Sequence, residues 1–250
     1  MSLRVTILGS SSAGNCGLLQ ADRHCFLIDA GFSRKQIALK LQTLGVELDA
    51  LSGIFITHEH SDHVRGLSPL SKIPGIRFYA NIKTQQAIEA HKPLAVDWQN
   101  FGTDSLTIEG LEVCPFGIQH DAVDPVGFRF NYQGECVTWA LDVGRITDTL
   151  IPHLTQANTL VMESNHDTDL LWHSERSMAL KTRITEAHLS NNDTFSFLKK
   201  YQEQANWKEI YLAHISQECN SQQCLKEAIE AAHLIPTVHI VRPCKIGWVG

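Results

Sequence analysis

Gly53-Ile54-Phe55-Ile56-Thr57-His58-Glu59-His60-Ser61-Asp62-His63 joins an apolar run to a dense set of metal-binding side chains. The residues before Thr57 read as a short buried strand. Three histidines and an aspartate then fall within six residues. Neutral imidazole and carboxylate are the usual ligands of zinc, manganese and iron. Solvated polar residues do not explain such density behind a buried strand, so the stretch predicts a metal site.

Working outward, other apolar runs end in the same way. Val113 to Ile118 leads to His120, Thr138 to Leu141 leads to Asp142, and Tyr211 to Ala213 leads to His214. Leu160 to Met162 leads to Glu163. Strand ends along one rim bring sequence-distant side chains together. Counting histidine and aspartate only, the candidate ligands are His58, His60, Asp62, His63, His120, Asp142 and His214. That set suffices for two metals sharing one carboxylate. Taken singly, the later residues also have ordinary readings. His120 and His214 fit surface or core histidines, Asp142 a turn, and Glu163 a helix cap.

The chain around these motifs alternates strands and helices. Arg4 to Leu8 reads as a strand, Gly9 to Asn15 as a loop of small residues, and Cys16 to Ile28 as a hairpin around Ala21-Asp22-Arg23-His24. Ser33 caps a helix with Ile37, Leu41 and Leu44 on one face and Gly45 as its stop. A short helix follows the histidine cluster through Val64, Leu67 and Leu70. Ile76 to Ala80 is a strand, and Asn81 caps a helix to about Ala90. From about Asp97 strands dominate, separated by short glycine-containing turns. A helix is expected from about Asp148. Asn192 or Asp193 caps the next, from Thr194 to Gln204. Glu209 to Ala213 is a strand, Ser221 to Ala232 a helix and Thr237 to Val241 a strand. No linker or repeat stands out, so residues 1–250 read as one domain. Two strand-rich, then helix-rich halves predict an α/β fold with two facing sheets and helices outside, an αββα four-layer sandwich.

Composition narrows the class. The 250 residues are 43% hydrophobic and 19% charged, enough for a sizeable core. No apolar run approaches a membrane span, and the N-terminus lacks signal-peptide architecture, so a cytoplasmic location is expected. The seven cysteines include no CxxC pair and read as reduced thiols. A formal charge of −6 excludes a broad basic surface. It leaves room for a phosphate substrate, because bound divalent cations would supply positive charge locally.

Thr57 to His63 matches the HxHxDH signature of the metallo-β-lactamase superfamily. Leu27-Ile28-Asp29-Ala30-Gly31 resembles that superfamily's early LIDAG strand, whose aspartate supports the site from behind. The chain is most similar to the YycJ-type branch. The resemblance lies in Gly9-Ser10-Ser11-Ser12-Ala13-Gly14-Asn15, Glu163-Ser164-Asn165-His166-Asp167, Ala187-His188-Leu189-Ser190-Asn191 and His214-Ile215-Ser216-Gln217-Glu218-Cys219-Asn220. The resemblance implies that His58, His60 and His120 bind one divalent ion and that Asp62, His63 and His214 bind another. Asp142 would bridge them, with zinc, manganese or iron as the metal.

It also implies a hydrolase, and three features lean towards phosphodiesters. Position 142 is aspartate, where many β-lactam-hydrolysing members carry cysteine. His188 resembles a histidine that contacts the scissile phosphate or protonates the leaving oxygen in nucleic-acid-processing members. Arg176, Lys181, Arg183, Lys199 and Lys200 flank it, although a solvated basic face is the ordinary reading of that run. Glu163 and His166 are expected to support a ligand or His188, and Ser10, Ser11 and Asn15 to offer donors at the site rim. Asp62 and His188 are the catalytic candidates. YycJ-type members act as 5′-to-3′ exonucleases on DNA. The interval from Asp142 to His214 is too short for the inserted clamp domain of related RNA-processing enzymes. A small grip on nucleic acid, or a homo-oligomer, is the corresponding expectation. The alternatives are hydrolysis of a small thioester, lactone or cyclic phosphodiester, and a metal-binding protein without turnover.

Overall fold

A computed structural model of the chain describes residues 3–241. Among them, the first sheet contains β1 (Leu3–Ser11), β2 (Gly14–Ala21), β3 (His24–Ile28), β4 (Leu51–Phe55), β5 (Arg77–Asn81) and β6 (Asp97–Phe101), in that spatial order. The second contains β7 (Leu106–Ile108), β8 (Leu111–Gly117), β9 (Val126–Tyr132), β10 (Glu135–Ala140), β11 (Thr159–Glu163), β12 (Glu209–Ala213) and β13 (Thr237–Ile240), again in chain order. Each sheet begins with antiparallel neighbours and ends with parallel ones, from β3 to β6 and from β10 to β13. Parallel neighbours need crossovers, and most of the helices supply them. They are α1 (Arg34–Thr43), α2 (Ser61–Val64), α3 (Leu67–Leu70), α4 (Ile82–His91), α5 (Ile151–Thr155), α6 (Thr168–His173), α7 (Met178–Ala187), α8 (Asn191–Tyr201) and α9 (Gln222–Ala232).

Three apolar cores separate four layers. Ile37 and Leu41 of α1 and Ile88 of α4 pack with Ile54 and Phe78 of the first sheet. Leu198 of α8 and Leu225 of α9 pack with Leu160 and Leu212 of the second. Between the sheets, Phe26 and Phe55 meet Phe128, Phe130 and Trp139. The Phe55 and Phe130 rings lie 5.2 Å apart. Successive residues of a strand face opposite ways, so Ile54 enters the outer core and Phe55 the inner one. Burial on both faces explains why β4 and β11 read as continuous apolar runs. The arrangement is the expected αββα sandwich.

Several local expectations differ from what forms. The small-residue stretch Gly9 to Asn15 is mostly strand, with only Ser12 and Ala13 left as the turn between β1 and β2. Its smallness serves packing: a Cβ on Gly14 would sit 2.7 Å from the Phe32 ring and 2.9 Å from the Gly31 carbonyl. The single helix expected after the cluster is two short ones, α2 and α3, divided at Gly66. Ser190 caps α8, and Asp193 reciprocates from inside the first turn, so neither Asn192 nor Asp193 is the cap. The helix expected from Asp148 starts at Ile151. α6 and α7 carried no sequence expectation. Cys16, Cys25, Cys114, Cys136, Cys219 and Cys224 form no disulfide, and Cys244 lies outside the described residues. Among the described residues no helix is long and apolar enough to cross a membrane.

Candidate metal centre

The centre lies where β3, β4, β8, β10, β11 and β12 end. Asp29 follows β3 directly, and its amide donates to the Phe55 carbonyl at the end of β4. The Asp29 carboxylate accepts from the Thr57 amide at 2.9 Å and lies 2.9 Å from the Thr57 hydroxyl. The loop carrying the cluster is thereby fixed to the neighbouring strand. Gly31 allows the approach, because a Cβ there would lie 1.7 Å from the Asp62 carbonyl oxygen.

Protein oxygens hold the Nδ1 atoms of four imidazoles. His58 Nδ1 is 2.9 Å from the Thr57 hydroxyl, and His63 Nδ1 is 2.8 Å from Asp29 Oδ2. His120 Nδ1 is 2.9 Å from the Ala187 carbonyl, and His214 Nδ1 is 3.0 Å from Glu163 Oε1. Such contacts set the ring orientation and leave Nε2 for a metal. Nε2 of His58 and of His214 are buried without a hydrogen-bond partner. Buried polar atoms in that state call for a polar occupant.

Ligand-capable atoms of His58, His60 and His120 lie within 4.8 Å of one another, as do those of Asp62, His63 and His214. Asp142 stands between the groups. Its Oδ2 is 3.0 Å from His63 Nε2, while Oδ1 is 3.5 Å from His214 Nε2 and 3.9 Å from His120 Nε2. All seven candidates from the sequence therefore converge. Asp29, Asp142 and His214 have φ of 59°, 57° and 50°. Left-handed backbone at residues other than glycine is costly and clusters at functional sites.

Glu163 is not a helix cap; Asp167 caps α6 instead. Glu163 ends β11 with no solvent exposure. Its Oε1 accepts from His188 Nδ1 at 2.7 Å as well as from His214, and Oε2 accepts from the Val143 amide at 2.8 Å. His188 stacks on His214 with 5.1 Å between ring centroids. His166 supports the His188 segment by its backbone, since its carbonyl accepts from the Asn191 amide. Ser10 and Asn15 are buried beneath the cluster rather than offered at its rim. Ser10 Oγ accepts from the His214 amide and donates to Asn15 Oδ1, while Asn15 Nδ2 is 3.2 Å from Asp62 Oδ2.

One set of residues was not anticipated. Asn220 Nδ2 is within hydrogen-bonding distance of the Ser164 and Asn165 carbonyls and of Asn191 Oδ1. Asn165 Nδ2 donates to the His214 carbonyl at 2.8 Å. This buried amide network ties together the segments that carry Glu163, His188 and His214. Its residues lie in three of the motifs quoted above, but an asparagine in a loop carries no signal of its own.

The basic run is not one free face. Arg176 pairs with Glu218, Arg183 bonds Asp121, and the largely buried Lys181 donates to the Trp172 carbonyl.

The carboxylates of the cluster favour positive charge on the imidazoles nearest them. Burial would raise the Asp142 carboxyl, but His214 and His63 hold it well below the usual carboxylate range. Burial opposes protonation of His214, yet Asp142, Asp62 and Glu163 push it up to about 10. Burial likewise opposes it in His63, which Asp29 and Asp142 raise well above its ordinary value. Burial, with His63 next, holds His58 well below the histidine range, which keeps it neutral. Carboxylates gathered around oriented imidazoles fit divalent cations, which displace such protons on binding.

A protein-family model described as "Beta-lactamase superfamily domain" matches residues 24–215. Exodeoxyribonuclease WalJ of Streptococcus pneumoniae is 34% identical over 227 residues, covering 88% of this chain and 84% of that protein. Exodeoxyribonuclease YycJ of Bacillus anthracis is 31% identical over 234 residues, covering 92% and 88%. Among solved structures, the metallo-beta-lactamase fold protein YhfI of Bacillus subtilis superposes with a TM-score of 0.73 at 17% identity, over 99% of both chains.

Proposed function

Because this chain belongs to the metallo-β-lactamase superfamily, in its YycJ-type branch, we propose that it is a metal-dependent phosphodiesterase that cleaves nucleic acid from an end. The observation that carries the reading is His188 on the buried Glu163 carboxylate, beside the convergent ligand cluster. His188 is not one of the seven expected ligands, so its imidazole is available to a substrate held beside them.

His58, His60 and His120 would hold one divalent cation, Asp62, His63 and His214 a second, and Asp142 would be shared. Zinc, manganese and iron all suit this donor set. When bound, the cations supply Lewis acidity toward a phosphate oxygen and lower the proton affinity of a water. Asp62 orients the attacking water through its carboxylate, itself held by Asn15. Glu163 fixes His188 through Nδ1, leaving Nε2 to give a proton to the leaving oxygen. The similarity to exodeoxyribonucleases supports DNA as the substrate class.

Metal analysis coupled to activity on 5′-labelled single- and double-stranded DNA and RNA tests the reading. Cleavage that depends on about two bound ions is expected. His188→Ala should lower kcat by on the order of 10²–10⁴-fold with metal content unchanged. Undiminished cleavage by that variant would remove His188 from the mechanism. Metal-loaded protein that cuts no phosphodiester would sink the reading altogether.

A further inference from the structure

Next to His120 stands a charged pair that the chemistry above does not use. Asp121 Oδ1 lies 3.2 Å from His120 Nε2, and Asp121 Oδ2 accepts from Arg183 Nε at 2.5 Å. One carboxylate thus holds a guanidinium beside the ligand group His58, His60 and His120. Arg183 is carried by α7, and the C-terminal end of that helix is locked to the centre. The Ala187 carbonyl accepts from His120 Nδ1 at 2.9 Å. A Cβ on Gly144 would lie 2.2 Å from the Glu186 carbonyl oxygen, so the segment after Asp142 packs directly on the last turn. His188 is the C-cap of the same helix. The arginine and the proposed general acid are therefore mounted on one element, itself fixed against two parts of the metal cluster.

Asp121 engages only Nε of Arg183; among the described residues Nη1 and Nη2 make no hydrogen bond. Side-chain exposure is 56% for Arg183 and 38% for Asp121, and a pair so exposed adds little to folding stability. The hydrogen bond to Asp121, and beyond it the charges of Asp62 and Asp142, raise the guanidinium above its ordinary value. It lies, then, within electrostatic reach of the cluster. A guanidinium fork matches two oxygens of one phosphate. The reacting link belongs against Asp142 and His188, whose Nδ1 is 3.6 Å from Asp142 Oδ1. From Asp142 the path to Arg183 runs through His120 and Asp121, over contacts of 3.9, 3.2 and 2.5 Å. That separation sets the fork on a neighbouring phosphate rather than on the reacting one.

We propose that Arg183 is a substrate-binding residue that grips the phosphate next to the scissile link, held in place through Nε by Asp121. The inference rests on the phosphodiesterase reading. Phosphate contacts fix the register of a nucleic acid on its protein. Arg183 therefore sets which link reaches the metal cluster. With a formal charge of −6 the chain has no broad basic surface to do this, so one aimed guanidinium carries the task.

The test uses the metal-loaded full chain and short single-stranded DNA with phosphorothioate links, which resist hydrolysis. In a series of such strands one link at a time is replaced by a methylphosphonate, which carries no charge, and binding is read by fluorescence anisotropy. For the wild type, neutralising one particular link should weaken binding roughly 10-fold. Arg183→Gln should weaken binding of the fully charged strand by as much and lose nothing more when that same link is neutral. The slope of log K against log salt should become shallower by about 0.7 in that variant. Its sensitivity at the other links should persist, a pattern that damage to the fold does not produce. Arg183→Lys keeps the charge but cannot hold Asp121 and present a fork at once, so it should not restore wild-type binding. Losses that multiply at every link, wild-type binding by Arg183→Gln, or full rescue by lysine overturns the contact. Ordinary oligonucleotides of the same sequences read hydrolysis separately. A link-specific loss without cleavage overturns the nuclease reading and retains the contact, whereas cleavage with no such link does the reverse.

Discussion

Asp62 is partly exposed, with Oδ2 3.2 Å from Asn15 Nδ2 and 3.6 Å from His63 Nε2. Replacing it with asparagine keeps its shape and removes its charge. Asp62→Asn should lose on the order of 10³-fold or more in phosphodiester hydrolysis while its circular dichroism matches wild type. Full activity in that variant would exclude Asp62 from the chemistry. Away from the centre, burial pushes the Cys136 thiol up to about 11. The thiolate is the reactive form, and its fraction at pH 8 falls roughly 100-fold below that of a free thiol. Alkylation of native protein with iodoacetamide, followed by peptide mass spectrometry, should leave Cys136 largely unmodified. Residue chemistry was also where sequence reading reached furthest. Histidine and aspartate placed at strand ends are visible as letters. The positions of Ser10 and Asn15 beneath the cluster were not, because serine and asparagine look alike in a rim and in a buried network.

Helix caps connect an element to the site. Asn81 accepts from the Thr84 amide at the start of α4, and its Nδ2 donates to the Asp124 carbonyl at 2.7 Å. One buried side chain thus caps a helix and pins the loop that runs from His120 to β9. Asn81→Ala should cost about 1–2 kcal/mol of stability, read from urea unfolding. A change within experimental error would mean that water replaces both bonds. Asn81 and Ser33 were legible as caps because each stands just before an apolar helical period. Ser190 does not stand out in the sequence, because Asn192 and Asp193 are equally good caps two and three residues later. Only the fold, through the His166 carbonyl that holds the Asn191 amide, sets where α8 begins.

Both sheets contribute to one inner core, with Phe55 against Phe128 and Phe130. Phe55→Ala should cost about 3–5 kcal/mol, because neighbouring rings cannot collapse into the space. Since that core links the sheets, urea should unfold the chain in a single cooperative transition, coincident by fluorescence and circular dichroism. Two separated transitions would divide residues 1–250 into independent units. Gly17 of β2 faces the same core, since a Cβ on it would lie 2.7 Å from the ring of Trp139 on the second sheet. Nothing in the sequence names that partner, because the contact joins residues far apart in the chain.

The sequence by itself determined most of the order of strands and helices, the sandwich they build and the identity of the residues that converge. Apolar periodicity records burial, and a strand's end carries whatever residue follows it. Tertiary structure alone decided what holds those ligands: Asp29 on His63, Glu163 on His188 and His214, and the asparagine network behind them. These are polar contacts across long sequence separations, fixed by side-chain geometry that no local pattern encodes.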